Sequence, residues 1–326
     1  MVKIFLLSGG YCSRLYICED TSVATDNSSG HVKKLLIRLF GGKLIQRNSG
    51  SRSLDDQSEL LLFHDISRHG LGPKLYGAFD KGRLEEYIPS HTLNKSDLDD
   101  PEIRSQFARK LARIHQLDVP IKRVVRHIVT MFEERFKAGD NDLARQKLLE
   151  VCKSNGMDPE WALKYDWKQE ISWLKKTAAS VATRNVVALY DMNRLNCLVR
   201  EQVDSFGEKV TLIDYELGMF TTRGHDLANH FIWWTVDVSN VDDEFRSELD
   251  YPSDDVRRQY VVDYLGETSK SSLKLDIDGI DSIDHVLMEV DIHGLIACQM
   301  MITAAFVIPL TSVESIVAKN FMVSNY

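Results

Sequence analysis

Two side chains that can take part in phosphoryl transfer lie five residues apart in the stretch NVVALYDMNRLNCLV. Asp191 ends an apolar run that predicts a β-strand, and Asn196 opens the next strand. Asp214 follows in the segment LIDYE. Amide and carboxylate oxygens are ligands that Mg²⁺ accepts when substrate phosphates complete its coordination shell. The pattern therefore indicates a metal site beside a base, Asp191, that accepts the proton of an attacking hydroxyl.

Two strands joined by a short loop are the elements that would bring these groups together. The segments CLVRE and KVTLID flank the loop QVDSFGE, and symmetric pairing places Arg200 near Val210 and Asn196 opposite Asp214. In this register an amide oxygen and a carboxylate converge on one cation, with Asp191 close by. Asp and Asn are also common turn residues that bond to local backbone groups, so each of them alone also fits a purely structural role.

The wider pattern predicts an α+β fold with two lobes. Short apolar runs between turns predict a β-rich N-terminal lobe over residues 1–90, with one helix in QSELLLFHDISRHG that ends at Gly70. Residues 91–326 are mainly helical, apart from the embedded catalytic β-hairpin. The clearest helix is DPEIRSQFARKLARIHQL, which opens at Pro101. Two further helices are predicted in VRHIVTMFEERFKAG and DWKQEISWLKKTAASVA.

Composition narrows the class of protein. The formal net charge of -8 over 326 residues gives no general basic surface for nucleic acid. Five scattered cysteines without a CxxC pair argue against a disulfide framework or a zinc site, so we expect a reducing, cytoplasmic environment. The apolar segment at residues 294–310 includes Gln299 and Thr303 and predicts a buried helix, not a membrane span.

Five segments together resemble the choline/ethanolamine kinase family, a branch of the protein-kinase-like fold that also contains the aminoglycoside phosphotransferases. They are SGGYCSRLY, LLIRLFG, GLGPKLYGAF with GRLEEYIPS, LIDYE and RGHDLANHF. The resemblance runs from about Phe5 to at least Val238 and implies a bilobal fold. It also implies an ATP- and Mg²⁺-dependent kinase that phosphorylates the hydroxyl of choline or ethanolamine, the first step of phosphatidylcholine or phosphatidylethanolamine synthesis. Relatives often dimerise, so a homodimer is a further expectation.

The resemblance assigns roles to residues of the second lobe. By position, Asp191 matches the family's catalytic base, and Asn196 and Asp214 match its Mg²⁺ ligands. Glu216 stands close by as an additional acidic group. Trp234 matches one tryptophan of the aromatic pocket that holds the ammonium group of the acceptor through cation-π attraction.

The resemblance also implies a nucleotide site in the first lobe. Arg38 stands where the family's phosphate-contacting base lies, and Glu59 on the first helix is its expected ion-pair partner. Three further groups are implied: the turn Gly9-Gly10 over the ATP phosphates, Ser13 just beyond it, and the backbone of Glu86, Tyr87 and Ile88 at the adenine edge. In RGHDLANHF, Asp226 and His230 are expected to brace the catalytic hairpin from below.

The chain departs from the family pattern around the base and in the acceptor pocket. Leu189 replaces a scaffold histidine, and Leu195 replaces a glycine, where its β-carbon is expected to exclude a left-handed turn. The other pocket positions fall, by alignment, on Trp233, Val238, Met301 and Ala304.

Three hypotheses follow from this comparison. The first is an active kinase of choline, ethanolamine or a related amino alcohol, at full or impaired activity. The second is a pseudokinase that binds nucleotide or a partner, which the two leucines and the altered pocket motivate. The third is an aminoglycoside-type phosphotransferase, although GPKLYG and RGHDLANHF favour the amino-alcohol branch.

Overall fold

The computed structural model describes residues 1–7, 13–22, 32–40, 56–123, 166–236 and 250–307, with single positions between 146 and 164. Its N-terminal part contains five strands: β1 (Val2–Leu7), β2 (Ser13–Asp20), β3 (Lys34–Phe40), β4 (Leu75–Phe79) and β5 (Gly82–Glu86). They form one sheet in the order β1-β2-β3-β5-β4, with antiparallel neighbours throughout. The predicted meander of the first three strands is confirmed.

A close backbone approach fixes the register of β3 beside β5. Gly82 lies opposite Leu39, and a β-carbon at this glycine would stand 2.2 Å from the carbonyl oxygen of Arg38. No side chain fits in that space, so glycine is required here. The consequence is that Arg38 lies directly opposite Arg83 on β5.

Helix α1 (Asp56–Arg68) packs one face into the main core. Its Leu62, Phe63 and Ile66 are almost fully buried. The helix ends as predicted, because Gly70 adopts a φ of 69° and the amide of Leu71 donates to the carbonyl of Ile66 at 3.0 Å. This is the left-handed C-terminal cap that glycine forms without strain.

Five further short strands form two small sheets. In the first sheet, β6 (Ser90–Thr92), β8 (Cys197–Arg200) and β9 (Val210–Leu212) lie in the order β6-β8-β9. In the second, β7 (Asn185–Ala188) pairs with β10 (Met219–Thr222). The antiparallel β8-β9 pair is the predicted hairpin.

Helices make up most of the remaining described chain. They are α2 (Lys95–Asp99), α3 (Pro101–His115), α4 (Trp167–Ser180), α5 (Arg223–Ile232), α6 (Asp254–Thr268) and α7 (Ile283–Val307). Helices α3 and α4 confirm two of the predicted helices, whereas the one predicted in VRHIVTMFEERFKAG lies outside the described residues. The predicted C-terminal helix is part of α7, and no helix in the described ranges has the length and apolar character needed to cross a membrane.

The core joins the helices to the small sheets. Phe107 and Leu111 of α3 are buried together with Leu227 and Phe231 of α5. The same cluster includes strand residues of β8 and β9 as well as the buried face of α1. The hairpin and the segments beside it are therefore held by rigid neighbours on several sides. An α+β architecture with a β-rich first part and a helical second part is observed, as predicted.

Candidate functional site

The β8-β9 hairpin has a register one residue away from the predicted one. Cys197 pairs with Leu212, and the amide of Ile213 donates to the carbonyl of Asn196 at 2.9 Å. The predicted pairing of Asn196 with Asp214 is therefore wrong by one position. The amide of Arg200 likewise donates to the carbonyl of Lys209, not to a partner at 210.

A left-handed residue offsets this shift. In a regular strand, a slip of one residue turns each side chain to the opposite face. Asp214, however, has a φ of 65°, which interrupts the alternation just after β9 ends. Its carboxylate lies 3.9 Å from Nη1 of Arg38, and its negative charge acts on Asp191. Asp214 thus lies close to Arg38 and Asp191 although its predicted register is wrong.

Asp191 is half-buried and has a strongly perturbed acidity. Removal from water raises the pKa of its carboxyl group to about 6, and the nearby charge of Asp214 acts in the same direction. Hydrogen bonds from Asn193 and Asn196 oppose this rise. A carboxylate with such a pKa is a better proton acceptor near neutral pH than an ordinary aspartate.

Asn193 is a residue of the site that the sequence analysis missed. Its Nδ2 donates to both carboxylate oxygens of Asp191, at 3.0 and 3.1 Å. Its Oδ1 accepts from the amides of Leu195 and Asn196, at 2.8 and 3.3 Å, and so caps the short 3-10 helix Arg194–Asn196. One side chain therefore links the candidate base to the turn that carries Asn196. The local motif D-M-N, an Asp followed two residues later by a capping Asn, was the signal for it.

The amide of Asn196 also points toward the segment of the base. Its Nδ2 donates to the carbonyl of Asp191 at 3.2 Å, so the amide oxygen is the atom that a cation would take. Oδ1 of Asp214 is buried and has no hydrogen-bond partner, although the whole side chain is 30% exposed. A buried carboxylate oxygen without a donor fits the approach of a cation.

The donor set fits a metal that takes few protein ligands. No cluster of three or more His, Cys, Asp or Glu side chains suited to a metal ion occurs within the described ranges. The oxygens of Asn196 and Asp214 would instead leave most positions to water and phosphate, as Mg²⁺ prefers. Glu216, half-buried two residues beyond Asp214, remains an additional acidic group near this end of the hairpin.

Helix α5 holds the segment that carries Asp191. The carboxylate of Asp226 accepts from the amides of Leu189 and Tyr190, at 2.6 and 2.8 Å. His115 of α3 lies 3.1 Å from the same carboxylate. One turn further along α5, Oδ1 of Asn229 accepts from the amide of Met192 at 2.9 Å. Asp226 therefore braces the segment that carries Asp191, and not the β8-β9 hairpin itself as predicted, and Asn229 extends this brace.

The brace stabilises an unusual backbone conformation. Tyr190 has a φ of 74°, which is rare for a bulky residue and costs on the order of 1 to 3 kcal/mol. Its ring stacks on His225 at 4.7 Å, and Nε2 of His225 lies 3.3 Å from its carbonyl oxygen. Together with Asp226, these contacts fix the turn immediately before Asp191.

The two leucines that depart from the family pattern occupy different environments. Leu189 is 2% exposed and belongs to the main core, so its side chain replaces a polar scaffold by packing. Leu195 is 44% exposed and lies in the 3-10 helix. Within the described ranges, only Tyr190 and Asp214 among non-glycine residues have positive φ. The expected strain at Leu195 is therefore absent, because the turn is right-handed.

The predicted pairing of Arg38 with Glu59 is wrong. Nε of Arg38 donates to Glu85 at 2.8 Å, and its Nη1 donates to the hydroxyl of Ser13 at 2.8 Å. Glu59 instead accepts from Arg83 at 2.7 Å. The prediction failed because it did not include the second buried arginine, which lies between Arg38 and α1. GRLE places Arg83 and Glu85 on one face of β5, which was the available signal.

The remaining residues expected at the nucleotide are described only in part. Gly9 and Gly10 lie outside the described residues. In the connecting segment, the amide of Glu86 donates to the carbonyl of Lys74 at 2.9 Å, and the carbonyl of Ile88 accepts from Ser90 at 2.9 Å. These two backbone groups already have protein partners. The ring of Tyr87 lies 5.5 Å from Nζ of Lys34.

The side chain of Trp234 is buried in the core and does not lie on the exposed wall of a pocket. Its side chain is 5% exposed, and its indole N–H donates to Nε2 of His230 at 3.3 Å. His230 stacks on Phe107 at 4.1 Å, and burial lowers its pKa to about 3, so the ring is neutral. His230 therefore fastens α5 to α3 and has no direct bond to the hairpin. The side chains at 301 and 304, and residue 238, lie outside the description.

Comparison with known proteins places these observations in a family. A family model for choline/ethanolamine kinase matches residues 4–322. A mouse protein named choline/ethanolamine kinase is 26% identical over 295 residues, which cover 89% of this chain and 70% of the relative.

Solved structures share the fold. A choline kinase from Cryptosporidium parvum superposes with a TM-score of 0.69 at 18% identity, over 98% of this chain and 87% of the other. An ethanolamine kinase from Plasmodium vivax superposes with a TM-score of 0.63 at 15% identity, over 100% and 82% of the two chains. The predicted protein-kinase-like α+β fold is confirmed.

Proposed function

The chain belongs to the choline/ethanolamine kinase family, and from this membership we propose that it transfers the γ-phosphoryl group of ATP to the hydroxyl of choline or ethanolamine. The observation that carries the proposal is that Asn196 bonds to the carbonyl of Asp191 and that Asp214 lies near enough for its charge to act on Asp191. Asn193 and Asp226 hold this arrangement in place.

Each side chain of the site has a distinct task in this reaction. Asp191 accepts the proton of the acceptor hydroxyl as its oxygen attacks the γ-phosphorus. Asn196 and Asp214 would hold Mg²⁺, which when bound neutralises the charge on the phosphate oxygens. Arg38, fixed beside Asp214, contacts the phosphates from the sheet. Burial of Asp191 keeps its proton affinity suited to this task.

The remaining roles belong to the same proposal. Gly9, Gly10 and Ser13 are assigned to the phosphates, and the segment from Glu86 to Ile88 borders the adenine. Trp234 contributes to the acceptor pocket from the core. The product enters phospholipid synthesis in the cytoplasm, and the protein acts as a homodimer.

A steady-state assay tests this function. Purified protein is supplied with ATP, Mg²⁺ and either choline or ethanolamine at matched concentration, and the phosphorylated alcohol is quantified. We expect Mg²⁺-dependent product with at least one alcohol, and loss of that product in Asp214→Ala. Nucleotide-dependent thermal stabilisation without turnover would contradict the proposal and favour the pseudokinase hypothesis.

A further inference from the structure

A buried network of four charged side chains surrounds the phosphate-contacting arginine. Arg38 on β3 and Arg83 on β5 lie directly opposite each other, and they are 6% and 0% exposed. Glu85 and Glu59 are each 3% exposed. Like charges that face each other across two strands repel, and burial strengthens the repulsion. The arrangement is stable only because carboxylates lie between and beside the arginines.

Glu85 is the group shared by the two arginines. Its Oε1 accepts from Nε of Arg38 at 2.8 Å and from Nε of Arg83 at 2.6 Å. Burial alone would favour the neutral acid, but the two arginines hold the pKa of Glu85 below its ordinary value. The ionised carboxylate therefore fixes both guanidinium groups from within the sheet.

Glu59 serves the other arginine. It accepts from Nη1 of Arg83 at 2.7 Å, and the ring of Phe63, one turn along α1, lies 4.2 Å from the guanidinium carbon of Arg83. Both contacts connect α1 to β5. Neither connects α1 to Arg38 directly.

We propose that Glu85 is the positioning residue that aims Arg38 at the nucleotide phosphates, whereas Glu59 fastens α1 to the sheet through Arg83. This inference rests on the proposed function, because it takes ATP as the ligand of Arg38. The guanidinium of Arg38 is held at two points, with Nε on Glu85 and Nη1 on the hydroxyl of Ser13. Its Nη1 then lies 3.9 Å from Oδ2 of Asp214. A carboxylate on the neighbouring strand thus sets the direction of the arginine.

Two isosteric variants separate the roles of the carboxylates. Glu85→Gln and Glu59→Gln each remove one equally buried negative charge from the same network, so the two variants are matched in charge and in burial. Without the charge of Glu85, the facing arginines repel and Arg38 leaves its place. We expect the Kd for ATP-Mg²⁺, measured by calorimetry, to rise about tenfold or more in Glu85→Gln. In Glu59→Gln it should stay close to the wild-type value.

Kinetics and spectroscopy give independent readouts. The KM for ATP should rise in Glu85→Gln while the KM for the alcohol stays unchanged, a split that a general loss of stability would not produce. In NMR spectra, Nε–H protons of Arg38 and Arg83 should exchange slowly in the wild type and in Glu59→Gln. They should exchange fast in Glu85→Gln, and this readout does not depend on catalysis.

Several outcomes would overturn the inference. Equal Kd values for ATP-Mg²⁺ in the two variants, or weaker binding in Glu59→Gln, would do so while leaving the proposed function intact. Absence of nucleotide binding by the wild type would instead remove the proposed function and with it the role of Arg38. The exchange of the Nε–H protons would still report whether Glu85 holds the two arginines.

A second variant covers the case in which Glu85→Gln does not fold. The double variant Arg83→Met with Glu59→Leu removes the link between β5 and α1 and keeps the bond between Arg38 and Glu85. An apolar replacement of a buried charge pair is often tolerated. Unchanged ATP affinity in this variant supports the inference, and a loss of about tenfold or more contradicts it.

Discussion

At the level of single residues, the burial of Asp191 carries an electrostatic cost. Asp191 is the one described aspartate whose pKa is raised clearly above its ordinary value, to about 6 from 3.8, mainly through burial. A group with a raised pKa in the folded state stabilises the fold most below its unfolded pKa and loses that contribution as pH rises through the folded pKa. Above pH 6, the ionised form of Asp191 therefore works against folding.

Asp191→Asn should for this reason stabilise the protein at alkaline pH. Near pH 8 and without metal, we expect the free energy of unfolding to rise by about 1 to 3 kcal/mol. The gain should vanish near pH 4, as measured by urea denaturation at both pH values. Asp204→Asn is the control with the opposite sign, because the bond from Lys110 lowers the pKa of Asp204 despite its burial. A destabilised Asp191→Asn protein at pH 8 would refute this account of the site.

Asn193 gives a second prediction at the residue scale. Asn193→Asp keeps the oxygen that caps the 3-10 helix but replaces the donor facing Asp191 with a second negative oxygen. We expect kcat to fall about tenfold to a hundredfold, since small displacements of a base have effects of this size. Asn94→Asp, at the N-cap of α2, is the matched control. Similar kcat values in the two variants would show that Asn193 does not position the base.

Residue types and order indicated the members of the site, but not their partners. Spacing indicated Asp191, Asn196 and Asp214 as candidates only in combination, because each of them alone also fits a turn. The sequence did not predict the hydrogen-bond partners of Arg38. These partners depend on the strand register and on the position of a second buried arginine, which the sequence alone does not give. Asn193 was missed for a different reason: in the sequence, a capping Asn resembles any other turn residue.

At the level of secondary-structure elements, helix α5 determines the position of the segment that carries Asp191. Asp226 and Asn229 are three residues apart and therefore on one face of the helix. They accept three backbone amides from Leu189, Tyr190 and Met192. A segment with a left-handed tyrosine persists only when its surroundings fix it in this way.

Asp226→Asn tests this brace. An amide has one acceptor oxygen and presents N–H groups to donors, so the amides of Leu189 and Tyr190 cannot both be satisfied. We expect a loss of roughly 2 to 4 kcal/mol in unfolding free energy. We also expect kcat to fall by about tenfold or more, which is the size of effect that a displaced base has. Asp284→Asn, whose side chain is 81% exposed, is the control and should change neither quantity. An unaffected kcat in Asp226→Asn would contradict the brace.

The elements themselves were largely predictable. Alternating apolar runs indicated the five strands of the sheet, and helical spacing indicated α1, α3 and α4. The hairpin was also foreseen, but its register was not. The register depends on the geometry at both strand ends. Pairing the two strands by sequence position alone cannot predict the positive φ of Asp214.

At the scale of the whole molecule, buried ion pairs fasten the far end of the hairpin to the helices. Lys110 of α3 is fully buried and pairs with Asp204 and Glu208 in the β8-β9 loop. Arg113 of α3 connects Glu208 with Glu267 of α6.

We propose that the boundary between the two lobes lies near residue 90. Strand β6, which begins there, pairs with β8 and so belongs to the second lobe.

Lys110→Ala should loosen this far end without changing the site. It leaves the buried carboxylate of Asp204 without its cationic partner, whereas Glu208 keeps its ion pair with Arg113. We therefore expect a loss of about 3 to 5 kcal/mol in unfolding free energy. The KM for ATP should remain unchanged, because the loop lies at the opposite end of the hairpin from Asn196. Lys209→Ala, at an exposed position of the same loop, is the control. A loss of less than about 1 kcal/mol would show that the clamp contributes little.

The proposed role of Asp191 as proton acceptor is tested most directly by the rate of phosphoryl transfer in Asp191→Asn. This rate is measured with saturating ATP, Mg²⁺ and the preferred alcohol. The variant keeps the shape of the side chain and should be folded and stable. We expect a rate at least about a hundredfold below that of the wild type, because the proton acceptor is missing. A folded Asp191→Asn protein that transfers phosphate at the wild-type rate would contradict it.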